Sequence, residues 1–135
     1  MNPVLADTGF LVALYDPTEK RHARAWAYLR AHEHPLATVA AVIVETCFFL
    51  NPSGKLRFLG WVREGALAVV DTPVADYVEL ERVLSKYRDR NIDFADAALV
   101  WLANQLGVRA ILTGDHADFQ VLRLKGNRGF ELIDW

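Results

Sequence analysis

Four carboxylates interrupt apolar stretches of this 135-residue sequence: Asp7 directly after PVLA, Glu45 inside VIVETCFFL, Asp96 in DFADAAL and Asp115 after AILTG. Acids gathered on one rim repel one another and hold protons more tightly unless a cation stands among them. A divalent metal is such a cation. An all-oxygen donor set suits a hard ion, Mg2+ or Mn2+, which retains waters and leaves positions for a phosphate oxygen. Zinc is disfavoured, because Cys47 is the only cysteine and the histidines lack ligand spacing. Four acids can hold one ion, or two ions about 4 Å apart, for in-line displacement at a phosphodiester. Glu45 needs a partner most, since apolar residues flank it on both sides and an isolated buried anion is costly. Each acid also has a plain structural use. Asp7 could cap the next helix, Glu45 could pair with an arginine, Asp93 and Asp96 could cap a helix, and Asp115 could make an Asx turn. Their joint placement favours a shared ion.

The elements that must position them can be read from hydrophobic periodicity. PVLA (3–6) reads as a short buried strand and GFLVALY (9–15) as the start of a helix stopped by Asp16-Pro17. Residues 19–32 read as an amphipathic helix, with the His32-Glu33-His34 stretch as its surface end. PLATV (35–39) reads as a strand, AAVIVETCFFL (40–50) as a buried helix closed by NPSG, and 55–63 as a further helix. ALAVVD (66–71) is a strand, and the segment after Pro73 a helix with a basic end containing Lys86, Arg88 and Arg90. IDFADAALVWLANQLGV is the clearest helix, with Asp93 as its cap and Gly107 as its stop. RAILTGD and GFELIDW read as two last strands. This alternation predicts a three-layer α/β/α sandwich with a mostly parallel central sheet, and one domain spanning 1–135. In such a sheet ligands bind outside the carboxyl ends of the strands, where Asp7 and Asp115 fall and where the first turn holding Asp96 points.

The totals bound the function. A net charge of −2 excludes a surface covered in positive potential, so any nucleic-acid contact comes from a local patch. One cysteine excludes an internal disulfide and fits a reducing compartment. No basic, apolar leader is expected at the N-terminus, and no apolar run reaches the roughly 20 residues that span a bilayer. The chain is therefore expected to be soluble and cytoplasmic, with no membrane partner. Hydrophobic residues make up 53%, which leaves apolar surface for an oligomer. Trp26, Trp61 and Trp101 fall at helical apolar positions that suit a core or a dimer face.

VLADTGFLVAL, VIVETCFFL, DFADAAL and AILTGDHADFQVLR, in this order and over nearly the whole chain, resemble the PIN-domain proteins, specifically the VapC-type toxins of type II toxin–antitoxin modules. The resemblance implies a compact Mg2+-dependent ribonuclease, with Mn2+ as a possible substitute. It places the family's acids on Asp7, Glu45, Asp96 and Asp115, with Asp93 as a less regular further acid. Asp7 and Asp96 would be the principal metal ligands, and Glu45 and Asp115 would complete the site or hold its waters. Thr8 and Thr113 would orient the carboxylates. Lys86, Arg88 and Arg90 could contact the RNA backbone, or simply form a solvated helix end. A small antitoxin partner and a homodimer are further implications. The sequence departs from the pattern at Gly114 and at His116-Ala117, where relatives often carry bulkier or basic residues.

Other readings of ADTG fail on the surrounding residues. An aspartic protease needs Asp-Thr-Gly in an all-β fold. A phosphatase with an aspartyl nucleophile needs a second Asp at position 9, which is glycine. A response regulator needs adjacent acids on the first strand and a lysine after AILT. The remaining alternative is a PIN-like domain that binds RNA or protein without cutting.

Overall fold

The computed structural model describes residues 1–135. Its central sheet is built from β1 (Val4–Ala6), β2 (Leu36–Val39), β3 (Leu67–Val70), β4 (Ala110–Leu112) and β7 (Glu131–Leu132), in the order β3-β2-β1-β4-β7. Every pairing in it is parallel. Parallel strands covered on both faces have no solvent side, which is why VLA and LATV are apolar or small throughout and buried at every position. A separate antiparallel pair joins β5 (Arg123–Leu124) to β6 (Arg128–Gly129).

Seven helices flank the sheet. They are α1 (Thr8–Tyr15), α2 (His22–Ala31), α3 (Ala40–Phe49), α4 (Pro52–Arg63), α5 (Tyr77–Lys86), α6 (Phe94–Leu106) and α7 (His116–Val121). Their starts carry legible signals. Asn51 accepts from the Gly54 amide ahead of Pro52, and Asp93 and Asp96 form a reciprocal capping box on α6. Helix α6 stops at Gly107, whose φ of 66° is the left-handed conformation that glycine adopts without penalty. One continuous core of buried apolar residues includes Leu5, Phe10, Leu99, Ile111 and Phe119.

Chain order sets the location of the site. From β1 the chain moves to β2 on one side, while β4 pairs with β1 on the other. The strand order therefore reverses at β1, and a crevice opens past the carboxyl ends of β1 and β4. The Asp7 amide closes this edge by donating to the Leu112 carbonyl at 2.9 Å.

Several elements differ from the sequence reading. Helix α1 begins at Thr8 with Asp7 as its cap, and the basic helix ends at Lys86, so that Arg88 and Arg90 lie in the turn beyond it. Residues 116–121 form a helix, to which the sequence reading assigned no element, and GFELIDW contributes only short pairings. Trp26 and Trp61 pack around Tyr15, and Trp101 is buried, its indole N–H donating to Asp76 at 3.0 Å.

Leu5 is fully buried on the central strand. Leu5→Ala is expected to cost about 2–5 kcal/mol in urea unfolding, the range for truncating a buried leucine whose cavity cannot collapse.

Candidate active site

Asp7 is the buried acid of the group, with 8% of its surface exposed. Its two oxygens are held separately. The Thr8 amide donates to Oδ1 at 2.7 Å, and the Thr113 hydroxyl, carried on the end of β4, donates to Oδ2 at 2.8 Å. Thr113 Oγ1 in turn accepts from the Asp115 amide at 2.9 Å. One hydroxyl thus joins the ends of β1 and β4 and shapes the turn into α7. Thr8 does the same for α3: its hydroxyl donates to Glu45 Oε2 at 3.3 Å. Glu45 faces the rim because α3 follows β2 with no intervening loop.

Asp96 enters from α6. Its carboxylate accepts from the Asp93 amide at 3.2 Å, and its own amide donates to Asp93 Oδ1 at 3.0 Å. Asp115 caps α7 by accepting from the Asp118 amide at 3.1 Å. Asp7, Asp93 and Asp115 therefore start α1, α6 and α7, and three helix N-termini face the cluster. Capping and clustering are compatible uses of the same side chains.

The electrostatics show how close the acids are. Burial lifts the proton affinity of Asp7, and the charges of Asp115 and Asp93 add to it, against the opposing hydrogen bonds from Thr8 and Thr113. Glu45 is raised by burial and then by Asp93 and Asp7. Asp96 is pushed up to about 8, first by burial and then by Asp93 and Asp7. Asp115 is raised by partial desolvation and by Asp118, while Arg90 pulls the other way. The Asp93 carboxyl is near enough to Glu45 and Asp96 to share a hydrogen bond when one partner is protonated. Asp93, a further acid by the family resemblance and a helix cap by position, thus stands within the cluster. The side chains do not close into a ready ligand cage, since no three of them stand at metal-holding separation.

The basic residues divide. Arg90 is engaged: it pairs with Asp118 at 3.2 Å and donates to the Ala117 carbonyl, fixing α7 beside Asp115. Arg88 donates to the Ser85 carbonyl, and Lys86 lies 5.3 Å from the Tyr87 ring centroid. Only Arg90 is tied to the acid rim. A cleft of about 470 Å³ opens next to Asp7, Thr8 and Asp115, and Arg21, Phe49 and Trp135 also line it. Sequence reasoning missed these three. A larger hollow of about 550 Å³ near Trp26 and Trp61 has a single carboxylate, Glu64.

The PIN domain family model matches residues 4–123, and the chain belongs to the PIN-domain family. It is similar to ribonuclease VapC26 of Mycobacterium tuberculosis, with 29% identity over 134 residues, 96% of this chain and 99% of that protein. Among solved structures, VapC20 of Mycobacterium tuberculosis, a sarcin-ricin loop cleaving toxin, superposes with a TM-score of 0.70 at 20% identity. The match covers 83% of this chain and 91% of VapC20. FitAcB from Neisseria gonorrhoeae gives 0.54 at 21% identity, covering 86% and 90%. These two likenesses establish the fold.

Two outcomes follow from the site's geometry. Thr113→Val leaves one Asp7 oxygen without its donor and is expected to cost about 1–3 kcal/mol in urea unfolding at neutral pH. The second outcome concerns pH. The folded Asp96 keeps a proton that the unfolded chain has lost, so the metal-free protein should lose stability as pH rises from about 4 to about 8. Asp96→Asn should flatten this slope relative to wild type when both are unfolded in urea with EDTA; parallel slopes would contradict the assignment.

Proposed function

We propose that this chain is a divalent-metal-dependent ribonuclease, a single PIN domain acting as the toxin of a type II toxin–antitoxin pair. The observation that carries the reading is the gathering of Asp7, Glu45, Asp96 and Asp115 at the reversal point of a parallel sheet, tied together by the Thr8 and Thr113 hydroxyls and the Asp93 capping box, with each proton affinity raised in consequence. Perturbed acids gathered at one end of a sheet mark functional sites. The likeness to ribonuclease VapC26 over nearly the full length supports RNA as the substrate class.

The residues fit a hard divalent cation. All the donors are oxygens, and their mutual repulsion is the charge imbalance a cation would relieve. Asp7 and Asp96 are the principal ligands, with Glu45 and Asp115 completing the set or holding waters. Bound Mg2+ or Mn2+ would supply an activated water and stabilise the leaving oxygen of a phosphodiester. Thr113 and Thr8 orient Asp7 and Glu45 through the hydroxyl bonds described above, and Asp93 fixes Asp96 through the capping box. Arg90 holds the α7 side of the rim.

Partners follow from exposed surface. Val44, Phe48 and Leu56 present bare apolar side chains on α3 and α4, area suited to burial by an antitoxin or a second copy. No helix is long and apolar enough to cross a membrane, and we read the site of action as the cytoplasm. The second reading, a PIN-like module that binds RNA or protein without cutting, is favoured by one observation, the open ligand set.

Cleavage of an RNA oligonucleotide separates the two. The nuclease reading expects cutting with Mg2+ or Mn2+ that EDTA abolishes. Asp7→Asn and Asp96→Asn should each lower the rate beyond the roughly 10–100-fold typical of losing an outer hydrogen-bond partner of a metal ligand. Cleavage that survives the double variant would refute the site.

A further inference from the structure

Arg21 is a cation held in place at the wall of the acid cleft, with no acidic side chain in ion-pair contact. Its guanidinium carbon lies 3.4 Å from the Trp135 ring centroid, and Nη2 donates to the Trp135 main-chain oxygen at 2.7 Å. Its Nε is buried and has no partner. The ion pairs of the structure join Arg24 to Asp134, Arg90 to Asp118 and Lys125 to Glu79, and none includes Arg21. A partly buried charge and an unpartnered buried donor both carry a desolvation cost that an incoming anion would offset. Stacking on an indole and a bond to a main-chain oxygen have already fixed the rotamer, so little side-chain entropy remains to be lost on binding.

Position identifies the anion. Arg21 lines the cleft that Asp7, Thr8 and Asp115 also line. An acid cluster repels a free polyanion, so a cation on the adjoining wall is what would let a phosphate approach. Phe49 lines the same cleft from the end of α3 with 65% of its surface exposed, an aromatic ring with no packing role to explain it. Fixed guanidinium and exposed ring together match one phosphate and one base of single-stranded nucleic acid.

The geometry points to this cleft as the seat of the nucleotide flanking the scissile bond, with Arg21 binding its phosphate and Phe49 stacking on its base. The assignment rests on the ribonuclease reading and adds a substrate subsite to it. Arg21 positions RNA, and Trp135 positions Arg21 by stacking. No bond is made or broken by either.

Steady-state cleavage of an RNA oligonucleotide in Mg2+, repeated over a range of salt, tests the subsite with Arg21→Met, Arg21→Lys and Phe49→Ala. For Arg21→Met, KM should rise about tenfold with kcat changed less than about threefold, as for loss of a charged hydrogen bond made equally before and during reaction. The slope of log KM against log salt should become shallower by about 0.7, the signature of one lost phosphate contact on a single strand. Arg21→Lys, which keeps the charge and folds without the stacked fork, should regain the slope. Phe49→Ala should raise KM about tenfold with the salt slope unchanged. A purely structural Arg21 would lower thermal stability and kcat without moving the slope, and that result overturns the subsite. Wild-type KM and slope in both Arg21→Met and Phe49→Ala overturn it as well. If the wild-type chain cuts no RNA, the ribonuclease reading falls and takes the subsite with it; wild-type cleavage with unaffected variants removes the subsite alone.

Discussion

A carboxylate buried at the end of the central strand constrains most of what surrounds it. Asp7 gives up hydration, and the fold returns two hydrogen bonds, one from its own helix and one from a neighbouring strand. Those bonds are not enough to restore an ordinary acidity, because burial and the charges of Asp115 and Asp93 still lift its proton affinity. The remaining imbalance is spread over Glu45 and Asp96. A protein that needed only a helix cap at position 7 would have no reason to place three further acids in the same field.

The fold tolerates this crowding through its connections. Helices α1, α6 and α7 each begin at an acid of the cluster, so the positive ends of three peptide dipoles face the negative groups. Two threonine hydroxyls then link the elements: Thr113 joins β1 to the turn after β4, and Thr8 joins α1 to α3. Arg90 adds a basic side chain on the α7 side of the rim, by pairing with Asp118, and Arg21 lines the adjoining cleft. Amides, hydroxyls and these two guanidinium groups supply positive charge, and the acids still bind protons too tightly. In the proposed function a compact hard cation held by these oxygens would supply the remaining positive charge.

The sheet and the acids were legible in the sequence because each leaves a local trace. Apolar runs such as VLA and LATV mark strands buried on both faces, and an ionisable residue inside VIVETCFFL needs a partner somewhere. Helix α7 was not legible, since HADFQV is short and half polar and is started by an Asp115 that serves an Asx turn equally well. The β5–β6 pair was hidden for a similar reason, two residues per strand being too few to show alternation. Asp93 looked like a cap and is one, but only three-dimensional proximity shows that its carboxyl couples Glu45 to Asp96. Arg90 appeared as part of a basic helix end, yet its partner Asp118 is 28 residues away. Arg21 had no signal at all, because its meaning depends on Trp135, 114 residues distant, returning to lie under it.

In the proposed site the acids form one frustrated cluster that a divalent cation would relieve, and proton release on metal binding reports on that cluster. At neutral pH Asp96, with its proton affinity raised to about 8, is mostly protonated in the metal-free protein. Titration calorimetry with Mn2+ in buffers of different ionisation enthalpy should therefore record release of about one proton per ion bound, decreasing as the pH is raised above about 8. Binding with no proton release, or no binding by a folded chain, would contradict the account.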